Sequence, residues 1–141
     1  MSDLFPWMDD ATILRVTVGS TVHGLALDGT DDRDEMGVCV EPLESMLRLG
    51  QPFEQYIYRS AAEREGRHDA PSQPGDLDLV VYSLHKFCRL AADGNPTILG
   101  VLFAPMLAGS LVTSRGSRLR ERAGWFVSKR AGRRYLGYMV S

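Results

Sequence analysis

Asp32 and Asp34 stand two residues apart at the start of a stretch, about Asp32 to Val40, that reads as a β-strand ended by Pro42. Strand side chains alternate between faces, so both carboxylates project to one side, a few ångströms apart. Like charges this close repel and raise one another's pKa unless a cation lies between them. Hard oxygen ligands of this kind suit Mg²⁺ or Mn²⁺. The same pair, beside the turn Asp28-Gly29-Thr30-Asp31, also fits an exposed loop end, and by itself it does not choose between the two.

Two other features bear on the choice. Gly19-Ser20 follows the β-branched run at residues 12–18 and precedes residues 21–26, which Ser20 can cap as a short helix. Glycine allows close backbone approach to a ligand, and a helix N-terminus offers N–H groups and positive dipole to an anion. A plain capped turn has the same sequence. Asp78 sits among Leu77, Leu79, Val80 and Val81, and a carboxylate in a buried strand is costly unless paired or metal-bound. Asp76 shares its face and is open to the same reading, and both also fit the wet edge of a strand.

Together the three features suit a triphosphate. Its negative charge requires N–H donors and a divalent cation. A second cation lowers the pKa of the attacking hydroxyl, the pair being held roughly 3.5–4 Å apart by shared carboxylates. Such chemistry is positioning and electrostatics, so no dedicated Ser or His nucleophile is needed.

The elements that must position these residues can be read in outline. Strands are expected at 12–18, from about 32 to 40, and at 77–82. Residues 42–49 read as one amphipathic helix ending at Gly50, Phe53 to Arg59 as strand or helix, and 60–75 as an exposed polar loop. Ser83 caps a helix with Leu84, Phe87, Leu90 and Ala91 at helical spacing, ended by Asp93-Gly94-Asn95-Pro96. Further helices are expected at 97–105, 115–123 and 126–140. Strand, helix, strand, helix, strand, then helices gives an α/β or α+β class.

The bulk properties suit one soluble domain: 141 residues, 44% apolar and 24% charged. No apolar stretch is long enough to span a bilayer, and the N-terminus lacks the pattern of a signal peptide, so a cytoplasmic location is expected. Cys39 and Cys88 lack zinc-ligand spacing and read as buried small hydrophobes. The net charge of −2 is unevenly spread. Residues 1–110 carry 17 acids and 8 bases, a net −9, whereas 111–141 carry 1 acid and 8 bases, a net +7. A basic tail of this kind either docks on the acidic body or guides a phosphate-rich partner.

Gly19-Ser20, Gly24, the Asp32-x-Asp34 pair and Gly37-Val38 resemble the motif of the DNA polymerase β nucleotidyltransferase superfamily. Within it, the run from Asp78 through His85-Lys86-Phe87, followed by Gly94-Asn95-Pro96-Thr97, resembles the RNA-repair-associated branch carried by bacteria and phages, over roughly residues 13–139. The resemblance implies a mixed sheet flanked by helices, with a catalytic core at 1–110 and a basic helical segment at 111–141 packing on it. It implies transfer of a nucleoside monophosphate from an NTP to a hydroxyl, with RNA as the expected acceptor. Asp32, Asp34 and Asp78 would hold Mg²⁺ or Mn²⁺, with Asp78 a candidate base for the incoming hydroxyl. Gly19 and Ser20 would meet the phosphates, and Lys86 and Asn95 would face the nucleotide.

There are departures from the pattern. His23 stands where relatives favour an aromatic, and Gly100 where a glutamate commonly follows the Asn-Pro-Thr-x-Leu run. Relatives often continue past residue 141, so a shortened helical part is expected. The glutamate-to-glycine departure and the short C-terminus support an alternative, a retained fold that binds nucleotide or RNA without catalysis; a third option is a toxin-type modifier using the same chemistry on tRNA or protein. Trp7 and Trp125 read as core or interface anchors, and His68 as solvated. The basic clusters Arg118–Arg122 and Lys129–Arg134 are the best candidates for RNA-backbone contact, although an exposed helix face explains them better.

Overall fold

The computed structural model describes residues 5–19 and 33–140. Ser20, His23, Gly24, Asp32 and the helix expected at 21–26 therefore lie outside the described residues.

Five strands form one mixed sheet: β1 (Thr12–Val18), β2 (Arg33–Cys39), β3 (Gln55–Arg59), β4 (Leu77–Ser83) and β5 (Leu111–Val112), in the order β3-β4-β2-β1-β5. β1 runs antiparallel to β2 and β5, and β3 antiparallel to β4, whereas β2 and β4 are parallel. The helices are α1 (Met8–Ala11), α2 (Leu43–Met46), α3 (Ser60–Glu65), α4 (Leu84–Ala92), α5 (Pro96–Phe103), α6 (Ser114–Glu121) and α7 (Lys129–Val140), with a 3₁₀ turn at Ala123–Phe126.

Alternation along the strands gives the sheet two apolar faces. On one, Leu14, Val16 and Val38 pack with Phe87, Ala91, Ile98, Leu102 and Ala131 from the later helices. On the other, Cys39, Leu79 and Val81 pack with Met8 under Phe5, Trp7, Phe53 and Tyr56. Phe53 meets Phe5 and Trp7 edge-on, at ring separations of 5.0 and 5.2 Å. Trp7 is thus an anchor, as expected. Trp125 is exposed and so is not a core anchor, with the Arg122 guanidinium 5.4 Å from its ring.

Side-chain caps start α4, α5 and α6. The Ser83 hydroxyl accepts from the Lys86 N–H, which caps α4 as expected. Asn95 Oδ1 accepts from the Ile98 N–H at the start of α5, where Pro96 has no N–H to leave unpaired. Thr113 does the same for α6 through the Gly116 N–H. Gly116 also lets α6 lie against β1. A Cβ there would stand 2.1 Å from the Ile13 carbonyl oxygen.

Several expectations need correcting. The helix expected over 42–49 is a single turn, Leu43–Met46. Leu43, Met46, Leu47 and Leu49 are all exposed, so no apolar face is buried to hold a longer one. Residues 53–59, readable as either element, supply strand β3. The loop expected over 60–75 begins with helix α3, fixed by buried Ala61 and by Ser60, whose hydroxyl donates to Asp76 and accepts from the Leu77 N–H. The C-terminal segment is helical apart from β5, through which it completes the sheet along β1. Among the described residues, no helix is long and apolar enough to cross a membrane. Cys39 is buried, which pushes its thiol up to about 12, with Glu41 adding to the effect. Cys88 is half-buried and its thiol is raised for the same reason.

Candidate active site

The parallel pairing of β2 with β4 sets Asp34 directly beside Asp78. Neighbouring strands lie about 4.8 Å apart, and paired residues point to the same face, so two carboxylates distant in the chain become neighbours. Asp34 is also paired with Val18 at the end of β1, which brings Gly19 onto it. Gly19 has φ +90°, in the left-handed region, and a Cβ there would stand 3.1 Å from Asp34 Oδ2. The glycine therefore serves both the turn and the approach to the carboxylate.

These residues line a cavity of about 900 Å³, the size of a small-molecule site. Thr17, Val18, Gly19, Asp34 and Asp78 line it together. Thr97, Gly100, Phe103 and Pro105 close one wall, and Tyr135 and Tyr138 on α7 close another. Phe103, Tyr135 and Tyr138 expose 58%, 42% and 67% of their surface, so they present aromatic area to whatever enters. Gly100 has no atom within 4 Å of where a Cβ would stand, so the position expected to bear a glutamate is open space.

Asp78 is partly committed. Its Oδ2 receives the Nε of Arg59 at 3.2 Å from the facing position on β3. Its Oδ1 is buried and takes no hydrogen bond among the described residues. A buried carboxylate oxygen without a partner is expensive, and a bound cation is one way to satisfy it. With Asp34 alongside, the donor set is all hard oxygen, which fits Mg²⁺ or Mn²⁺. Among the described residues, no group of three metal-ligating side chains assembles. Asp32, the third member of the expected set, is outside them.

Asp76, open to the same reading on sequence, does a different job. One oxygen accepts from Arg64 at 2.6 Å and from Ser60, and the other from the Gln73 N–H at 2.7 Å. Arg64 first, then the Gln73 N–H, hold its carboxyl down at about 2. It does not line the cavity. Glu35, on the opposite face from Asp34, is buried with Arg15 at 3.2 Å and also paired with Arg33.

Lys86 and Asn95, expected at the nucleotide, do not line the cavity. Lys86 Nζ donates to Glu54 at 2.9 Å, beside Arg89, and Asn95 caps α5. His68 and His85 are exposed. Sequence reasoning passed over Arg59, whose element was undecided, and the tyrosine pair at 135 and 138. An i, i+3 aromatic pair on a helix was the available signal for the latter.

Comparison with curated proteins and with solved structures gives no match. The model of the RlaP family, described as the RNA repair pathway DNA polymerase beta family, matches residues 8–141. That span takes in every described strand and helix, and the chain is therefore a member of this DNA polymerase β-like nucleotidyltransferase family.

Proposed function

We propose that the protein is a metal-dependent nucleotidyltransferase that moves a nucleoside monophosphate from an NTP to a hydroxyl on RNA. The observation that carries the proposal is the in-register pair Asp34 and Asp78 lining the cavity, with one buried Asp78 oxygen unpartnered among the described residues. Asp34 and Asp78, with Asp32, would hold Mg²⁺ or Mn²⁺. When bound, such ions neutralise phosphate charge and lower the pKa of an attacking hydroxyl. Gly19 leaves room for phosphate beside Asp34, and Ser20 would add its hydroxyl and N–H. The apolar wall of Phe103, Tyr135 and Tyr138 suits a base, since every base offers a π-face for stacking.

RNA as acceptor is supported by the family description and by the exposed residues Arg115, Arg118, Lys129, Arg133 and Arg134. A cytoplasmic setting and a role in bacteria or phages accord with this reading.

The test is incubation with α-labelled NTPs, Mg²⁺ or Mn²⁺ and an RNA pool, beside Asp34→Asn and Asp78→Asn. Label should move to RNA with the native chain and not with the variants. Absence of transfer, or equal transfer by the variants, would overturn the proposal. A second reading, nucleotide binding without turnover, is favoured by the open space at Gly100, where the resemblance leads one to expect a glutamate. Metal-independent NTP binding in a calorimeter, with no turnover, would select it.

A further inference from the structure

Arg59 is part-buried and makes four hydrogen bonds. It lies opposite Asp78 across the β3–β4 pair, with its Nε on Asp78 Oδ2. Its Nη1 donates to the His68 carbonyl at 2.9 Å, and its Nη2 to the Ala70 carbonyl at 3.3 Å and the Ser72 hydroxyl at 3.1 Å. The planar fork is thus fixed on the outer loop before it touches the carboxylate. A guanidinium held in this way orients its partner more firmly than a free ammonium can.

The consequence for Asp78 is asymmetry. Oδ2 is held, while Oδ1 stays buried without a hydrogen bond among the described residues. We infer that Arg59 is a positioning residue for the metal site: it fixes the Asp78 carboxyl so that Oδ1 stands ready, beside Asp34, to ligate a divalent cation. The inference rests on the reading of Asp78 as a metal ligand and adds a named outer partner to it. Residues that orient a ligand from behind typically account for 10–100-fold in metal affinity.

Charge and positioning predict opposite signs here, which makes the test sharp. Arg59→Gln removes a positive charge beside the site, so electrostatic repulsion alone predicts tighter cation binding. Positioning predicts weaker binding. Mn²⁺ affinity, read by the loss of its free-ion electron paramagnetic resonance signal, should fall about 10–100-fold in Arg59→Gln. Arg59→Lys keeps the charge and loses the fork, and should bind about tenfold more weakly than the native chain. It carries the test alone if the glutamine variant does not fold, with circular dichroism and Tm as the check. Native or tighter Mn²⁺ binding in the folded variants would overturn the inference and leave the proposed function standing. No Mn²⁺ binding by the native chain would overturn both.

Discussion

Asp76 and Asp78 stand two residues apart at the head of one strand, and their surroundings could hardly differ more. Asp76 spends both oxygens on Ser60, Arg64 and the Gln73 N–H, all contributed by the outer loop and its helix. Asp78 gives one oxygen to Arg59, and its other takes no hydrogen bond among the described residues, in a cavity shared with Asp34 and Gly19. A saturated carboxylate acts as a brace, whereas a half-satisfied one, lining a cavity beside a second acid, is a candidate site. The distinction lies in the partners and not in the residue type.

The largest effect expected from breaking this comparison is on chemistry. Asp34→Asn and Asp78→Asn should each reduce NMP transfer by more than about 100-fold, beyond the usual cost of losing an outer-shell partner, with unchanged circular dichroism. Steady-state transfer assays decide it, and a loss of only a few-fold would place both acids outside the reaction. Next in size is the aromatic wall. Tyr135→Ala and Tyr138→Ala should each raise KM for the NTP by about tenfold with little change in kcat, as expected for lost base stacking. A fall in kcat at constant KM would assign these residues elsewhere.

Asp76→Asn should act the other way, lowering Tm in a thermal melt while leaving NMP transfer near the native rate. Transfer that collapsed in the folded variant would dissolve the contrast. The smallest effect is in acid. The Asp76 carboxyl is lowered from 3.8 to about 2 on folding, so its contribution is present above 3.8 and is lost as pH falls through about 2. Urea titrations across that window should show less pH dependence in Asp76→Asn than in the native chain.

What was legible in the sequence was local. Ser83 announces where α4 begins, and Asp93-Gly94-Asn95-Pro96 where it ends, because caps act within one turn of chain. The β-branched runs announce β1 and β4. The short strand β5 was not legible, since two residues carry no periodicity and Leu111–Val112 is held by its pairing with β1. Nor was α3, which depends on Ser60 reaching Asp76 across the loop. For the site, the residue types were readable, but the separation of Asp76 from Asp78 was not. It depends on the parallel register of β2 with β4 and on where Arg59 and Arg64 land, which are tertiary facts. Lys86 and Asn95 were readable as polar residues in a motif, and the fold gives them an ion pair and a cap. The cavity-facing side of α7 became apparent only once α5 and β1 were in place beside it.

The most direct test of the central claim is an Mn²⁺ titration followed by paramagnetic resonance on the native chain, Asp34→Asn with Asp78→Asn, and Asp76→Asn. The account predicts binding by the native chain and by the Asp76 variant, and none by the double variant. Equal binding by all three proteins, or loss on changing Asp76 alone, would contradict it.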